Sequence, residues 1–258
     1  MQLAVRRPAP ERNTAALLHN QFDRIMHAPN GLTKYLSGEA RDLARQVVAT
    51  RLRNAVFYLQ DNNPWEAALQ FSLSADCLQN AVHRPLRDRR VQIDDVMHGF
   101  LKEAVGHHTL AIELFRLGLK RIDLPREQRR LAEELKYTSR TLRFLYHHDQ
   151  NYQNVETRNW LVELSSEAAV TFGRLGLHKD AFFEYAHCAD TLLDGALAGE
   201  SLQPAITAAS HACIQAGFYR GGSDNEIAIH SSNLKLMLDI AAQFKTSAAS
   251  SSSKQNIV

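Results

Sequence analysis

Residues 40–71 decide the fold, and they read ARDLARQVVATRLRNAVFYLQDNNPWEAALQF. From Ala40 to Leu59, apolar and small residues recur every three or four positions, which is the period of one face of an α-helix. A second helix is predicted to begin at 63–66, Asn-Pro-Trp-Glu, where Asn caps, Pro takes the first helical position and Glu completes a capping box. Because the link between the two helices is so short, the stretch predicts an antiparallel helical hairpin.

The rest of the chain has the same helical period, and we predict an all-α fold of about ten antiparallel helices. They would form either a solenoid of hairpins or an irregular helical domain. No segment shows the alternation of apolar and polar residues, bounded by turns, that indicates a strand. Gly106 and Gly176 are predicted to end helices, because glycine readily adopts a left-handed conformation at a helix C-terminus. Separate helices are therefore expected over 88–105 and 107–121.

A single helical domain is expected over 14–245, between two disordered ends. The first end, 1–13, has no apolar segment and so does not resemble a conventional secretory signal. The second, 246–258, is rich in Ser and Ala and too polar and simple to pack. No apolar run reaches the roughly 18 residues that a membrane-spanning helix needs.

The composition is that of an ordinary globular protein. Of the 258 residues, 45% are hydrophobic and 22% are charged, which excludes a chain disordered throughout, a collagen or a small disulfide scaffold. The formal net charge is +2, with the basic excess in 1–150 and the acidic excess in 151–258. Cys77, Cys188 and Cys213 are widely separated and odd in number, which indicates buried thiols in a reducing compartment. We therefore expect a cytoplasmic location. Export by a route that does not use a signal sequence is left open.

A short signature recurs three times: a turn or small residue, an Ala five positions later and an aromatic residue four positions after that. The copies are Asn62, Ala67, Phe71; Gly106, Ala111, Phe115; and Gly176, Ala181, Tyr185. The pattern resembles the tetratricopeptide repeat, over three hairpins at 48–81, 92–121 and 162–197. The family's early tryptophan is absent, and the alanines are 44 and 70 residues apart where the family has about 34.

The resemblance implies that the hairpins stack and that the first helix of each lines a groove for a peptide or helix of another protein. The positions that match the family's ligand-facing residues are Arg53, Phe100, Glu103, Val170 and Arg174. We therefore expect a protein-interaction module, such as an adaptor, a chaperone or a regulatory scaffold. No catalytic residue, metal ligand or cofactor is assigned, and the oligomeric state is left open.

A second hypothesis starts from the histidines, of which there are 12. Some of them, together with aspartates, stand in an order that resembles the metal-dependent phosphohydrolases of the HD type, which are also all-α. The residues concerned are His107 or His108, His148, Asp149, and Asp190 or Asp194. The resemblance implies that imidazole and carboxylate groups hold metal ions that activate water. The polar sequence around His148 favours a solvated helix end instead.

A third hypothesis concerns four basic residues, Arg84, Arg87, Arg89 and Arg90. Together with the arginines of 126–143 they could bind phosphates of nucleic acid or anionic lipid. Aromatic residues are not interleaved with these arginines; they stand at helical spacing, as Trp65 does, and are expected in the core. Glutamates such as Glu134 dilute the second cluster. A solvated, ion-paired helix face is therefore favoured over nucleic-acid binding.

Overall fold

A computed structural model describes residues 11–28, 35, 38–87, 92–120, 124–219, 225–236 and 238–239. Within these ranges the regular structure is helical and contains no strand, which confirms the all-α prediction. The helices are α1 (Arg12–His27), α2 (Glu39–Gln60), α3 (Pro64–His83), α4 (Asp95–Leu119), α5 (Pro125–His148), α6 (Val155–Arg174), α7 (His178–Leu197), α8 (Gln203–Phe218) and α9 (225–236). None of the described helices is long and apolar enough to cross a membrane.

The helix starts follow the local signals of the sequence. The Asn63 side chain accepts a hydrogen bond from the backbone N–H of Glu66 at 3.2 Å, as the capping box predicts. Asn154 caps α6 in the same way, by accepting the N–H of Thr157 at 2.8 Å. The α2–α3 link turns at Asn62, whose φ of 54° is left-handed. The link is therefore short, and α2 and α3 form the predicted hairpin.

The predicted helix boundary at Gly106 is wrong, because α4 runs without a break from Asp95 to Leu119. Glycine inside a helix costs only about 1 kcal/mol relative to alanine. Val105, His107 and His108 are all buried, so packing on both sides of Gly106 outweighs that cost. The second copy of the signature therefore lies within one helix and does not mark a hairpin. The helix predicted over 88–105 begins at Asp95, and 88–91 lie outside the described residues.

The chain divides into two compact units, 1–148 and 149–258, and the boundary falls inside the range predicted as one domain, 14–245. In the first unit, α1 packs on α2, and α2 to α5 each pack mainly on their neighbours along the chain. The helix α1 begins two residues earlier than predicted, and the Glu11 backbone N–H before it donates to Asn54 Oδ1 at 2.7 Å. Residues 1–10 and 246–258, predicted as disordered, lie outside the described ranges.

Two hairpins of the first unit, α2/α3 and α4/α5, follow each other in the same orientation. Arg41 Nη2 is 2.6 Å from Asp94 Oδ2, and one turn further along α2 the Arg45 guanidinium lies over the Phe100 ring at 5.8 Å. Because both contacts progress in the same direction along the two helices, α2 and α4 are parallel. The equivalent contacts between α3 and α5 are Ser72 with Glu134 and Gln79 with Thr141. This translation of one hairpin onto the next gives the unit a helical-repeat-like architecture.

The second unit contains the hairpin α6/α7, followed by α8 and α9. The chain reverses at Gly176, whose φ of +72° is favoured by glycine, so this predicted helix end is confirmed. Phe172 and Phe182 are fully buried in the unit's core. Arg158, which is 7% exposed, forms an ion pair with Glu200 after the end of α7.

Candidate partner-binding site

A cleft of about 570 Å³ opens between the first turns of α3 and the first turns of α5. It is lined by two large apolar side chains and by charged side chains of both signs. We call it the Trp65 cleft, and its lining residues are Trp65, Glu66, Leu69, Arg126, Glu127, Arg129, Arg130 and Glu133. The cleft lies wholly within the first unit.

Trp65 is held against α4 on one side and borders the cleft on the other. Its ring packs edge-on against Phe115, with 4.6 Å between the ring centroids. Gly118 permits this approach, because a Cβ atom at that position would lie only 3.1 Å from Trp65 Cε3. The indole is therefore half-buried, fixed by its neighbours, and offers part of its surface to a ligand.

A second hollow of about 490 Å³ adjoins the Trp65 cleft and shares Trp65, Glu66 and Glu127 with it. It extends along the α2–α3 link, and we call it the acidic hollow. Its other lining residues are Asp61, Asn62, Asn63, Pro64 and Gly118. Its described lining therefore includes three carboxylates and no Lys or Arg, whereas the α5 side of the Trp65 cleft carries three arginines.

Two arginines of the Trp65 cleft, Arg126 and Arg129, are exposed, whereas Arg130 is half-buried. Arg129 Nε is 3.0 Å from Glu133 Oε1, and the Arg129 side chain is 58% exposed against 27% for Glu133. Arg130 Nη1 lies 3.9 Å from Glu133 Oε2. Arg126 is exposed and forms no ion pair with a described residue. A ligand can therefore reach the guanidinium groups of Arg126 and Arg129 from solvent.

Two polar atoms of the cleft lining have no hydrogen-bond partner in the described part of the chain. They are Glu127 Oε2, an acceptor, and Arg130 Nε, a donor, and both atoms are buried. A buried polar atom without a partner costs roughly 1–3 kcal/mol. The lining therefore holds one acceptor and one donor that no described residue pairs with.

A buried polar network joins α3, α4 and α5 beside the cleft. His108 Nδ1 lies 2.5 Å from Glu134 Oε1, and Glu134 Oε2 accepts a hydrogen bond from Ser72 Oγ at 2.7 Å. His108 Nε2 is 2.7 Å from Gln79 Nε2, which also donates to Thr141 Oγ1. His108 and Glu134 are 0% and 1% exposed, so the pair is sealed from solvent. Sequence reasoning missed this network and expected Glu134 on a solvated face.

Both ring nitrogens of His108 are engaged in this network. Its Nδ1 faces the Glu134 carboxylate, and its Nε2 faces the side-chain amide of Gln79. Arg130 connects this network to the Trp65 cleft, because its Nη2 donates to Ser72 Oγ at 3.4 Å. The positive charge of Arg130 thus lies between the buried carboxylate and the cleft.

Two titratable groups near the network depart from their ordinary pKa values. Burial raises the pKa of Asp76 to about 6; the nearby Glu134 charge adds to this rise, while His108 and Arg130 oppose it. Burial, and then the neighbouring His108, lower the pKa of His107 to about 4. Asp76 therefore takes up a proton near pH 6 in the folded protein, whereas His107 stays neutral there.

The five residues predicted to bind a partner do not line the Trp65 cleft. In the first unit, Phe100 is only 4% exposed, whereas Glu103 is exposed on α4. Arg53 is also exposed, and its guanidinium donates hydrogen bonds to Thr50 and Glu11. The other two residues, Val170 and Arg174, lie on α6 of the second unit. The ring of Phe100 is available to a partner only if its neighbours move, and the binding role of these residues stays a prediction.

The residues of the metal hypothesis have other local roles. Both ring nitrogens of His108 are engaged in the buried network, and the His148 ring lies 4.4 Å from the Phe144 ring. Asp149 Oδ1 accepts the backbone N–H and the side-chain amide of Asn151 at 3.0 Å. Among the described residues, no group of three or more His, Cys, Asp or Glu is placed to hold a metal ion.

The predicted basic patch is described only in part. Arg84 lies 3.7 Å from Asp23 and contacts the His27 ring at 2.7 Å, so it ties α3 to the end of α1. Arg87 is exposed at the end of a short 3₁₀ turn. Arg89 and Arg90 lie outside the described residues, so the patch stays a prediction.

No protein-family model matches the chain, and no curated protein is similar to it. Among solved structures, a DHF58 filament chain aligns with 93% of this chain and 99% of its own length, at 11% identity and a TM-score of 0.45. A DHF119 filament chain aligns with 90% of this chain and 95% of its own length, at 14% identity and a TM-score of 0.39. Similarity this low carries no argument about function, which rests on the residues of the site.

Proposed function

We propose that this protein is an interaction module that binds a peptide segment or helix of a partner protein in the Trp65 cleft. The observation that carries the proposal is the make-up of the cleft, in which Trp65 and Leu69 are flanked by charges of both signs. A protein segment suits such a surface, because one large apolar side chain can be buried while its neighbours pair with the charged rim.

The unused hydrogen-bonding atoms support a peptide as the ligand. A peptide unit carries one N–H donor and one C=O acceptor. Glu127 Oε2 needs a donor and Arg130 Nε needs an acceptor, and both residues line the cleft. A bound segment whose backbone pairs with these two atoms would offset the cost of leaving them without partners.

The stacked hairpins support a tetratricopeptide-like module that works as an adaptor, a chaperone or a regulatory scaffold. The cysteines support a cytoplasmic location, because Cys77, Cys188 and Cys213 are free thiols and the first two are buried. Burial also raises the pKa of the Cys77 thiol, which keeps it unreactive. In this proposal the protein works by binding and has no catalytic residues.

The proposal is tested by selecting peptides from a random-sequence display library on the full chain and measuring their affinity by fluorescence anisotropy. Leu69→Arg places a charge in the cleft and is expected to weaken binding at least tenfold. The matched control is Leu110→Arg on α4, where Leu110 is 49% exposed and does not line the cleft. Thermal unfolding of both variants shows that the fold is kept.

Selected peptides whose affinity falls with Leu69→Arg and not with Leu110→Arg would support the proposal. Peptides that respond equally to both variants would overturn it. So would a library that yields no binding peptide while a phosphate-rich polymer, such as a random-sequence RNA, binds with a steep dependence on salt.

A further inference from the structure

We infer that the first unit binds a small inorganic oxyanion, of the size of phosphate or sulfate, beside Arg51 where α1 packs on α2. The ligand would accept hydrogen bonds from Arg51 Nε and Asn54 Nδ2, two buried donors that have no partner in the described part of the chain. Neither residue lines the Trp65 cleft, so this site is independent of the proposed function.

Arg51 is a buried cation without an acidic partner among the described residues. Its exposure is 8%, and its Nη1 donates to the neutral side-chain amide of Gln70 at 3.1 Å. The other buried arginine of the described ranges, Arg158, is 7% exposed and has Glu200 as its ion-pair partner. Because a buried charge that is not neutralised is strongly destabilising, Arg51 requires an anion that the described residues do not supply.

The acidic side chains at the start of α1 and within it pair with other arginines. Glu11 lies 3.3 Å from Arg53, and Asp23 lies 3.7 Å from Arg84. Residues 1–10, which precede α1 in the sequence, contain no Asp or Glu. Neither the described acids of this segment nor the sequence before it therefore supplies a carboxylate to the buried guanidinium.

Asn54 supplies the second donor, and the orientation of its amide is fixed. Its Oδ1 accepts the backbone N–H of Glu11 at 2.7 Å, and only the oxygen of a side-chain amide can accept. The Nδ2 group is therefore left as a donor, and it is buried. Asn54 follows Arg51 by three positions, so the two side chains stand on the same face of α2. Donors one turn apart suit an anion that has several acceptor oxygens.

The charges where α1, α2 and α3 meet also favour an anion. Burial lowers the pKa of His19 on α1; Asp23 opposes this shift, and Arg51 and Arg84 add to it. Burial also lowers the pKa of Arg51 itself, as expected for a cation taken out of water. One carboxylate, that of Asp23, thus stands against two guanidinium groups, and a bound oxyanion would balance the second.

Thermal unfolding in phosphate, sulfate and chloride of equal ionic strength tests the inference, together with equilibrium dialysis against radiolabelled phosphate. We expect a single phosphate per chain and a saturable rise in Tm of about 5 °C with phosphate or sulfate. Arg51→Met removes the charge and keeps most of the volume. This variant should bind no phosphate and, without oxyanion, should unfold at a higher Tm than the unmodified protein. Arg140→Met, at an exposed position on α5, is the matched control and should keep the phosphate response.

A second variant serves as the test if Arg51→Met does not fold. Asn54→Asp places a carboxylate one turn from Arg51 and can still accept the Glu11 N–H, so it should raise Tm without oxyanion and remove the phosphate response. Equal rises in Tm with phosphate, sulfate and chloride would overturn the inference, because they would indicate general screening. So would a phosphate response that persists in Arg51→Met or Asn54→Asp, or an unmodified protein that binds neither phosphate nor sulfate.

Discussion

Replacing Asp76 by Asn is expected to stabilise the protein above neutral pH and to have little effect in acid. Asp76 lies on α3 beside the buried Glu134, and burial is the main cause that raises its pKa to about 6 from its ordinary value of 3.8. The folded protein therefore holds this proton more tightly than the unfolded chain does. Above about pH 6 the proton is lost, and the charged carboxylate destabilises the fold.

The size of the effect follows from the two pKa values of Asp76. At 1.36 kcal/mol per pKa unit, their difference corresponds to about 3 kcal/mol as an upper limit. Asn removes the charge and keeps the shape. We therefore expect Asp76→Asn to raise the free energy of unfolding by up to about 3 kcal/mol at alkaline pH, with the gain declining between about pH 6 and pH 4 and disappearing below.

The assay is urea unfolding followed by circular dichroism at a series of pH values, for the unmodified protein and for Asp76→Asn. The matched control is Asp42→Asn on α2, where the Asp42 side chain is 71% exposed, and this variant should change stability little at any pH. A difference between Asp76→Asn and the unmodified protein that is independent of pH would refute the reasoning. A loss of stability in Asp76→Asn at alkaline pH would do so too.

Three further substitutions test other parts of the first unit. Glu134→Ala removes the acceptor of His108, and urea unfolding should show a loss of about 3–5 kcal/mol because a buried group is left without its partner. His107→Gln removes an imidazole whose pKa is lowered to about 4 by burial. As pH falls from about 6.5 to 4, this imidazole makes the unmodified protein lose stability, so the difference in Tm between the unmodified protein and the variant should become smaller. Gly118→Ala should shift the fluorescence of Trp65, because the Trp65 Cε3 atom would lie 3.1 Å from the new Cβ and the indole would have to move away from it.

Local signals in the sequence were sufficient to predict the α2/α3 and α6/α7 hairpins. Asn63 and Gly176 act through their own backbone neighbourhoods, so the prediction did not require tertiary structure. Gly106 shows the limit of such signals. Its preference for a helix end is weak, and the burial of the residues on either side of it keeps α4 continuous.

The candidate site could be predicted only in part, because it depends on which helices lie side by side. Trp65 was expected in the core, yet α5 leaves part of its ring facing a cleft. Glu134 follows Glu133 in the sequence, and only the neighbouring helices make Glu133 a rim residue and Glu134 a buried one. Stacking of consecutive hairpins would place the first turns of α3 and α5 side by side, but the predicted second hairpin, 92–121, lies within and around α4, so α5 was not recognised as the neighbour of α3.

Hydrogen–deuterium exchange of the full chain, with and without a library-selected peptide, tests the central claim most directly. When the peptide is bound, exchange should slow in two segments, 61–69 at the start of α3 and 125–133 at the start of α5. Protection confined to other segments, such as the α2 and α4 faces that carry Arg53 and Glu103, would contradict the assignment of the binding site to the Trp65 cleft.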